Sequence, residues 1–407
     1  MWLIILFVLA VLYIIALYHF NGVARKGEPP LIRGYIPFFG AFPEVIKGYY
    51  PFIEECKKKY GSIFTVYFLG IRTHIFTSAS DFGLVHKNSK GFTMHPIMDE
   101  LQIRNNGKVE SDTTKKAIVN SYLKSFQGES LNETTKDYQN HSLKKIEEIF
   151  EENGGKDEIE VNLYDFSRTV VYYGSSKAIL GDQFDPKSTE NYFFEYDESF
   201  QTVFIGIPLD WLTKAKIARK YVMDHIMTLD VKKMSSFIQD TAYAAYEEPS
   251  REQIASVAMG ALVASQINSI NGAFWGFLNI LNHLEVRKEV EKEIKEKFNF
   301  DKYEESLNNM PYLHACFTET TRFSTASMSL RAATRDEVVQ VEGKKYNIRK
   351  GDQMYLLPTE YNNEEIFPNP KKFDPTRYLT TDSKKQQMFK EVLTPFGGLI
   401  FFFLNLL

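Results

Sequence analysis

The sequence predicts a mainly α chain with small β-sheets, an α+β fold, tethered through its N-terminus. Three observations carry that prediction. Residues 1–20 are apolar, without a single Asp, Glu, Lys or Arg. Helical periodicity dominates from about residue 112 to 245 and again from about 250 to 281. Two later stretches, residues 62–78 and 337–357, carry the alternation of β-hairpins. The composition agrees: 44% hydrophobic and 25% charged residues, with 15 prolines and 23 glycines in 407, exclude disordered, collagen-like and low-complexity chains. A net charge of −4 offers no polycationic surface, so no nucleic-acid partner is expected. The two cysteines, Cys56 and Cys316, cannot build a disulfide framework and point to a reducing compartment.

At 1.5 Å per residue the first 20 residues would span about 30 Å, the thickness of a bilayer's hydrocarbon core. A cleaved signal peptide would show a basic leader and a shorter apolar run. The first positive charges, Arg25 and Lys26, follow the span and would keep the rest of the chain cytosolic. Residues 1–20 are therefore expected as a single-pass transmembrane anchor in the lipid bilayer. Residues 21–40 read as a proline-rich linker, because Pro29-Pro30 favours extended geometry and stops a helix from continuing. Residues 41–407 read as one large domain.

Within that domain, residues 43–60 suggest one short amphipathic helix, and residues 62–78 a hairpin about Gly70. The helices from 112 to 245 should break at Gly154-Gly155, Gly181 and Pro186. A long helix should follow Pro249-Ser250, with Ser250 and Gln253 as a capping box, and run to about residue 281. Gly260, Gly272, Gly276, Ser265, Gln266, Asn268 and Asn271 interrupt its apolar run, which suits the interior of a large domain rather than a second membrane span. Residues 285–297 read as a solvated helix face, with Glu291/Lys295 and Glu293/Lys297 at i,i+4 spacing. A further helix over 312–323 carries Glu319 and Arg322, and residues 337–357 alternate as a hairpin turning near Gly343.

Taken by spacing alone, Glu319 and Arg322 are an i,i+3 surface ion pair worth a few tenths of a kcal/mol. Three motifs in order change that reading: Glu319-Thr-Thr-Arg322, then Phe373-Asp-Pro-Thr-Arg377-Tyr378, then Pro395-Phe396-Gly397-Gly398. Behind an anchor, a Pro-Pro linker and a long interior helix, they resemble the cytochrome P-450 superfamily. The resemblance implies that Glu319, Arg322 and Arg377 form a buried structural ion triad beneath a haem. Shared guanidinium forks would offset part of the carboxylate's desolvation. The segment Ala264-Ser265-Gln-Ile-Asn268 with Phe274-Trp275 is similar to the branch holding sterol 7α-hydroxylase, sterol 12α-hydroxylase and prostacyclin synthase. There asparagine stands where most members carry threonine, so Asn268 and Ser265 become the candidate catalytic residues. Arg331, in Ser-Met-Ser-Leu-Arg331, would pair a haem propionate, and Phe396 would open the haem loop.

The resemblance departs at that loop, F-x-x-G-x-x-x-C-x-G, whose cysteine thiolate is the axial iron ligand. Leu399 stands at the glycine position and Phe403 at the cysteine position, so no metal ligand is expected there and the domain reads as incomplete at its C-terminus, without haem loop and last helix. Cys56 reads as core filler and Cys316 as helix packing. The histidines show no metal spacing, and no G-x-S-x-G, P-loop or dinucleotide fingerprint is present. The resemblance implies a haem-dependent monooxygenase of the endoplasmic reticulum membrane. It would hydroxylate a sterol or other large lipid with O2 and electrons from an NADPH-dependent flavoprotein reductase. The alternatives are an inactive lipid-binding remnant and a haem-dependent isomerase like prostacyclin synthase.

Overall fold

The computed structural model describes residues 2–393 apart from 21–22, 35, 37, 69, 108, 126, 205, 300–301, 325–328 and 358. It begins with α1 (Trp2–Phe20), whose side chains from residue 5 to 15 stand exposed, Leu6 at 61%, Phe7 at 69% and Ile14 at 62%. Among the described residues no helix is long and apolar enough to cross a membrane. A helix is thus present where the anchor was expected, and a membrane span is not shown. Next come β1 (Leu31–Ile32), α2 (Phe42–Lys47) and α3 (Tyr49–Tyr60). One helix was expected over residues 43–60. Two form because Gly48 closes α2 through its N–H on Val45 O and opens α3 with its own carbonyl, which accepts from Phe52 N. The hairpin about Gly70 is β2 (Ile63–Phe68) with β3 (Ile71–Phe76), and Gly70 turns at φ 78°, which glycine enters without a Cβ penalty. Then follow α4 (Ala79–Lys87), β4 (Phe92–Thr93) and α5 (His95–Asn106).

The chain forms two compact units, one of residues up to Met98 and from Thr321 onward, the other Asp99–Thr320. The second unit is helical: α6 (Asp112–Ser125), α7 (Gly128–Glu152), α8 (Leu163–Leu180), α9 (Pro186–Phe204), α10 (Thr213–Thr228), α11 (Ser236–Ala245), α12 (Arg251–Asn282), α13 (Leu284–Lys297), α14 (Tyr303–Asn308) and α15 (Pro311–Ser324), whose last turn from Thr321 belongs to the first unit. Its breaks fall where expected. At Gly181, which ends α8 at φ 81°, a Cβ would stand 2.1 Å from Lys233 O. The capping box of α12 is formed: Gln253 N donates to Ser250 Oγ at 3.2 Å and Ser250 N to Gln253 Oε1 at 2.8 Å. One apolar core joins α8, α9, α10, α11 and α12 around the fully buried Tyr172, Phe193 and Phe237. Burying each such ring contributes about 1.5–3 kcal/mol, and the buried Tyr172 hydroxyl is satisfied by Thr189 Oγ1 at 3.0 Å.

The first unit resumes with β5 (Ser329–Ala333), β6 (Glu337–Val341), β7 (Lys344–Ile348), β8 (Gln353–Leu356) and α16 (Ser383–Val392). Its larger sheet has the order β1-β2-β3-β8-β5-β4. The single hairpin expected over 337–357 is therefore corrected. Only β6 and β7 pair, across Glu342 and Gly343 at φ 49° and 76°. Gly351, at φ 87°, turns the chain away, and β8 joins the larger sheet between β3 and β5.

The stretch read as a linker is fastened to that sheet. Thr65 N donates to Pro30 O at 2.8 Å and Thr65 Oγ1 to Pro29 O at 3.0 Å. Arg72 pairs with Glu28 at 2.5 Å and reaches Val23 O at 3.1 Å. Asp352 takes Arg25 on Oδ1 at 2.8 Å, and His74 Nε2 and Arg349 N on Oδ2 at 3.1 and 2.9 Å. Thr65 Oγ1 lies 2.8 Å from His74 Nδ1, which completes a buried polar chain from linker to sheet.

Candidate functional site

The second unit supplies α12. Ser265 is 1% exposed and returns its hydroxyl to Leu262 O at 2.8 Å, a back-bond that competes with the helix ladder and favours local bending. Gln266 is wholly buried and donates through Nε2 to Ser175 Oγ on α8 at 2.5 Å and to Ser265 Oγ at 3.1 Å. Ser175 in turn donates to Val171 O at 2.6 Å. Asn268, three residues past Ser265, lies on an exposed part of the same helix. The sequence named Gln266 only as a polar interruption, and its contact with α8 has no local signal.

The glutamate of E-x-x-R, Glu319, is 0% exposed and Arg322 is 3% exposed, one turn apart on α15, so the surface-pair reading does not apply to them. The N-terminus of α15 is held by Glu293 of α13. Its carboxylate accepts from Tyr312 N at 3.2 Å, Leu313 N at 2.9 Å and Lys297 Nζ at 2.9 Å. Burial pushes the Glu293 carboxyl up, but Lys297 and the two amides outweigh it and hold the carboxyl below its ordinary range. The expectation that this stretch of α13 is merely a solvated face is thus corrected. Glu293 is 7% exposed and orients the helix that carries the E-x-x-R motif. Glu291, expected to pair with Lys295, instead accepts from Arg287 at 2.7 Å.

In the first unit Arg322 and Arg377 meet. Arg322 donates to Tyr361 O at 2.8 Å and Lys372 O at 3.5 Å. Arg377, in the 3-10 turn Pro375–Leu379, donates to Pro368 O, to Asn369 O at 3.0 Å and to Lys372 O at 3.2 Å. Aromatic rings enclose them. The Arg322 guanidinium lies 5.1 Å from the Phe367 ring centroid, Phe367 stacks on Phe389 at 5.4 Å, and Tyr378 meets Phe389 edge-on at 5.2 Å.

Arg331 lies in β5, 5% exposed, and donates to Ser329 Oγ at 2.9 Å and Leu330 O at 2.7 Å. Phe396 and Phe403 lie outside the described residues, as do Ser327 and Met328 of the Arg331 motif. Both cysteines are buried free thiols. Burial pushes the Cys316 thiol up to about 12, helped by the Glu293 and Glu319 carboxylates, and burial pushes Cys56 up to about 11. An axial ligand needs the thiolate, which this setting opposes. Among the described residues no cluster of His, Cys, Asp and Glu could hold a metal ion.

Inside the second unit the end of α5 meets the helix α9. Arg104 NH1 donates to Phe204 O at 3.1 Å, and Tyr196 OH to Asn105 Oδ1 at 3.4 Å. An open groove of about 630 Å³ on the β6–β7 hairpin is lined by Asp336, Glu337, Val338, Asn347, Ile348 and Arg349, and no expected site residue borders it.

The sequence profile of the cytochrome P450 family matches residues 29–398. Cytochrome P450 7A1 of Oryctolagus cuniculus is 25% identical over 92% of this chain and 82% of that protein. The 5-beta-cholestane-3-alpha,7-alpha-diol 12-alpha-hydroxylase of Sus scrofa is 25% identical over 90% of this chain and 78% of its own length. For the 24-hydroxycholesterol 7-alpha-hydroxylase of Homo sapiens the figures are 25%, 91% and 81%. Among solved structures, retinoic acid-bound cyanobacterial CYP120A1 matches with a TM-score of 0.71 at 17% identity, covering 92% of this chain and 87% of that one.

Proposed function

The chain belongs to the cytochrome P450 family, and from that premise we propose that its substrate is a sterol. By family it is a haem-dependent oxidoreductase of the monooxygenase class. The observation that carries the substrate is the set of relatives aligned over nine-tenths of the chain, two of them named as hydroxylases of cholestane-type sterols. The alternatives of an isomerase and of a lipid-binding remnant gain nothing from those relatives.

The residues present fit one edge of the cofactor. Arg331, buried on β5, offers a guanidinium suited to a haem carboxylate. They do not supply the iron's ligand, because Phe403 stands at the family's cysteine position and a phenyl ring has no donor atom. Haem, when bound, supplies the redox chemistry by which one atom of O2 enters a C–H bond. What this chain contributes is positioning. Glu319, Arg322 and Arg377 brace the helix and loop on the cofactor's supporting side, and Ser265 shapes α12. Asn268 offers an amide that both donates to and accepts from a water or substrate hydroxyl.

The same reading attaches the chain to the endoplasmic reticulum membrane through the exposed apolar surface of α1. It draws electrons from an NADPH-dependent flavoprotein reductase.

The test is product analysis. The chain and its Phe403→Cys variant, each loaded with haem, are incubated with cholesterol, 24-hydroxycholesterol, NADPH, a flavoprotein reductase and 18O2. A sterol product carrying one 18O atom from the cysteine variant supports the assignment. A variant that turns over a fatty acid but neither binds nor oxidises either sterol would overturn it.

A further inference from the structure

Among the described residues, His86 is the histidine whose Nε2 is buried without a hydrogen-bond partner. It stands in the last turn of α4, with its ring 6.5 Å from that of Phe82, edge to face. The inner face of α4, Phe82 and Val85, packs with Phe92 of β4, Ala333 of β5 and Met354 of β8. Met354 is the register partner of Arg331, so α4 lies against the part of the sheet that carries this arginine. Burial, and then the charge of the Arg331 guanidinium, pull His86 down to about 4. The imidazole is therefore neutral at physiological pH, and its ring nitrogen keeps unused hydrogen-bonding capacity within the field of a cation. Burial acts on Arg331 in the same direction. An anionic acceptor entering here would satisfy the orphaned nitrogen and offset both desolvation costs at once.

We propose that His86 donates through Nε2–H, beside Arg331, to a carboxylate of the bound haem. The proposal rests on the family reading, which brings the haem, and on Arg331 as a carboxylate partner. It adds a second donor from α4 that no motif announces. Two donors from different elements, one planar and charged, the other neutral, would fix that carboxylate in direction as well as position. Nothing in the arrangement requires His86 to change protonation when haem binds.

The test is haem affinity, read by absorbance titration of the full chain with haem and, in parallel, with haem dimethyl ester, which lacks the carboxylates. His86→Phe keeps the ring volume and the packing on Phe82 but removes the donor. It is expected to weaken haem about tenfold, the ratio one hydrogen bond to a charged acceptor provides, and to leave the dimethyl ester nearly unchanged. His86→Gln, which keeps a donor, should recover part of the loss and covers the case in which the phenylalanine variant folds poorly. Arg331→Gln separates the layers of the argument. If it weakens haem selectively and neither His86 variant does, the Arg331 reading stands and the His86 proposal is wrong. If His86→Phe weakens haem and its ester equally, His86 only packs, and the proposal is again wrong. A wild-type chain that binds haem and ester alike, or binds neither, would overturn the carboxylate reading of both residues.

Discussion

Arg322 and Arg377 donate to the same backbone oxygen, that of Lys372, at 3.5 and 3.2 Å. One carbonyl with two lone pairs thereby joins the end of α15 to the 3-10 turn Pro375–Leu379. Arg322 is the more buried of the two, at 3% exposed. Truncating it would leave Tyr361 O without that donor inside an aromatic enclosure. Arg322→Ala is therefore expected to cost about 3 kcal/mol or more, and Arg377→Lys about 1–2 kcal/mol through loss of the planar fork. Urea unfolding measures both. An Arg377→Lys variant as stable as the parent would show that the shared carbonyl carries no energy.

Glu293 makes stability depend on acid. Its folded value lies below the ordinary 4.5, so the contribution is complete above pH 4.5 and is lost as pH falls through the folded value. Glu293→Gln should lower stability by about 1 kcal/mol at neutral pH, the usual size of a capping interaction. It should also flatten the stability profile on the acid side. Identical acid limbs for the two proteins in pH-dependent unfolding would exclude the capping role.

Asp352 fastens residues 23–30 to the sheet. Burial pushes its carboxyl up, but His74, the Arg349 amide and Arg25 outweigh it and hold it below the ordinary 3.8. Asp352→Asn is expected to cost about 3 kcal/mol, because the charge is lost and one accepting oxygen becomes an NH2 that faces a donor, Arg25 on one side or His74 and the Arg349 amide on the other. Limited trypsin digestion should then cut after Arg25 or Lys26 sooner than in the parent. Unchanged cleavage there would mean that the other contacts of the segment suffice.

The iron ligand gives a spectroscopic prediction. With Phe403 expected where the family carries its cysteine ligand and Cys316 pushed up to about 12, the haem-loaded chain should lack a thiolate Soret band in its reduced, CO-bound difference spectrum. Phe403→Cys should produce one. A thiolate band in the unmutated chain that vanishes in Cys316→Ala would reverse this account of both residues.

Much of the architecture was legible because it rests on interactions within a few residues. Ser250 and Gln253 satisfy each other's backbone across one turn, Gly70 and the Glu342-Gly343 pair adopt turn geometry next to the strands they join, and Gly181 ends α8 at a positive φ. Motif spacing also picked out Glu319, Arg322, Arg331 and Arg377, of which the first three are buried and Arg377 half-buried. The misreadings share a cause as well. Glu293 has a good solvent-side partner in Lys297 at i,i+4, and nothing local says that its carboxylate also accepts from the amides of Tyr312, on the same oxygen as Lys297, and Leu313, on the other. The strand β8 continues the alternation of β6 and β7, and only its pairing with β3 and β5 separates it from them.

The amino-acid sequence by itself determined most helix positions, the β2–β3 hairpin and the family, since each depends on residue identity and short-range geometry. Tertiary structure decided which side chains share an acceptor and which are left without one. Lys372 O beneath two arginines, the linker fastened by Asp352, Gln266 against Ser175 and His86 facing the field of Arg331 are all long-range relations. Hydrogen bonds and charges act over a few ångströms, and only the fold brings those groups within that reach.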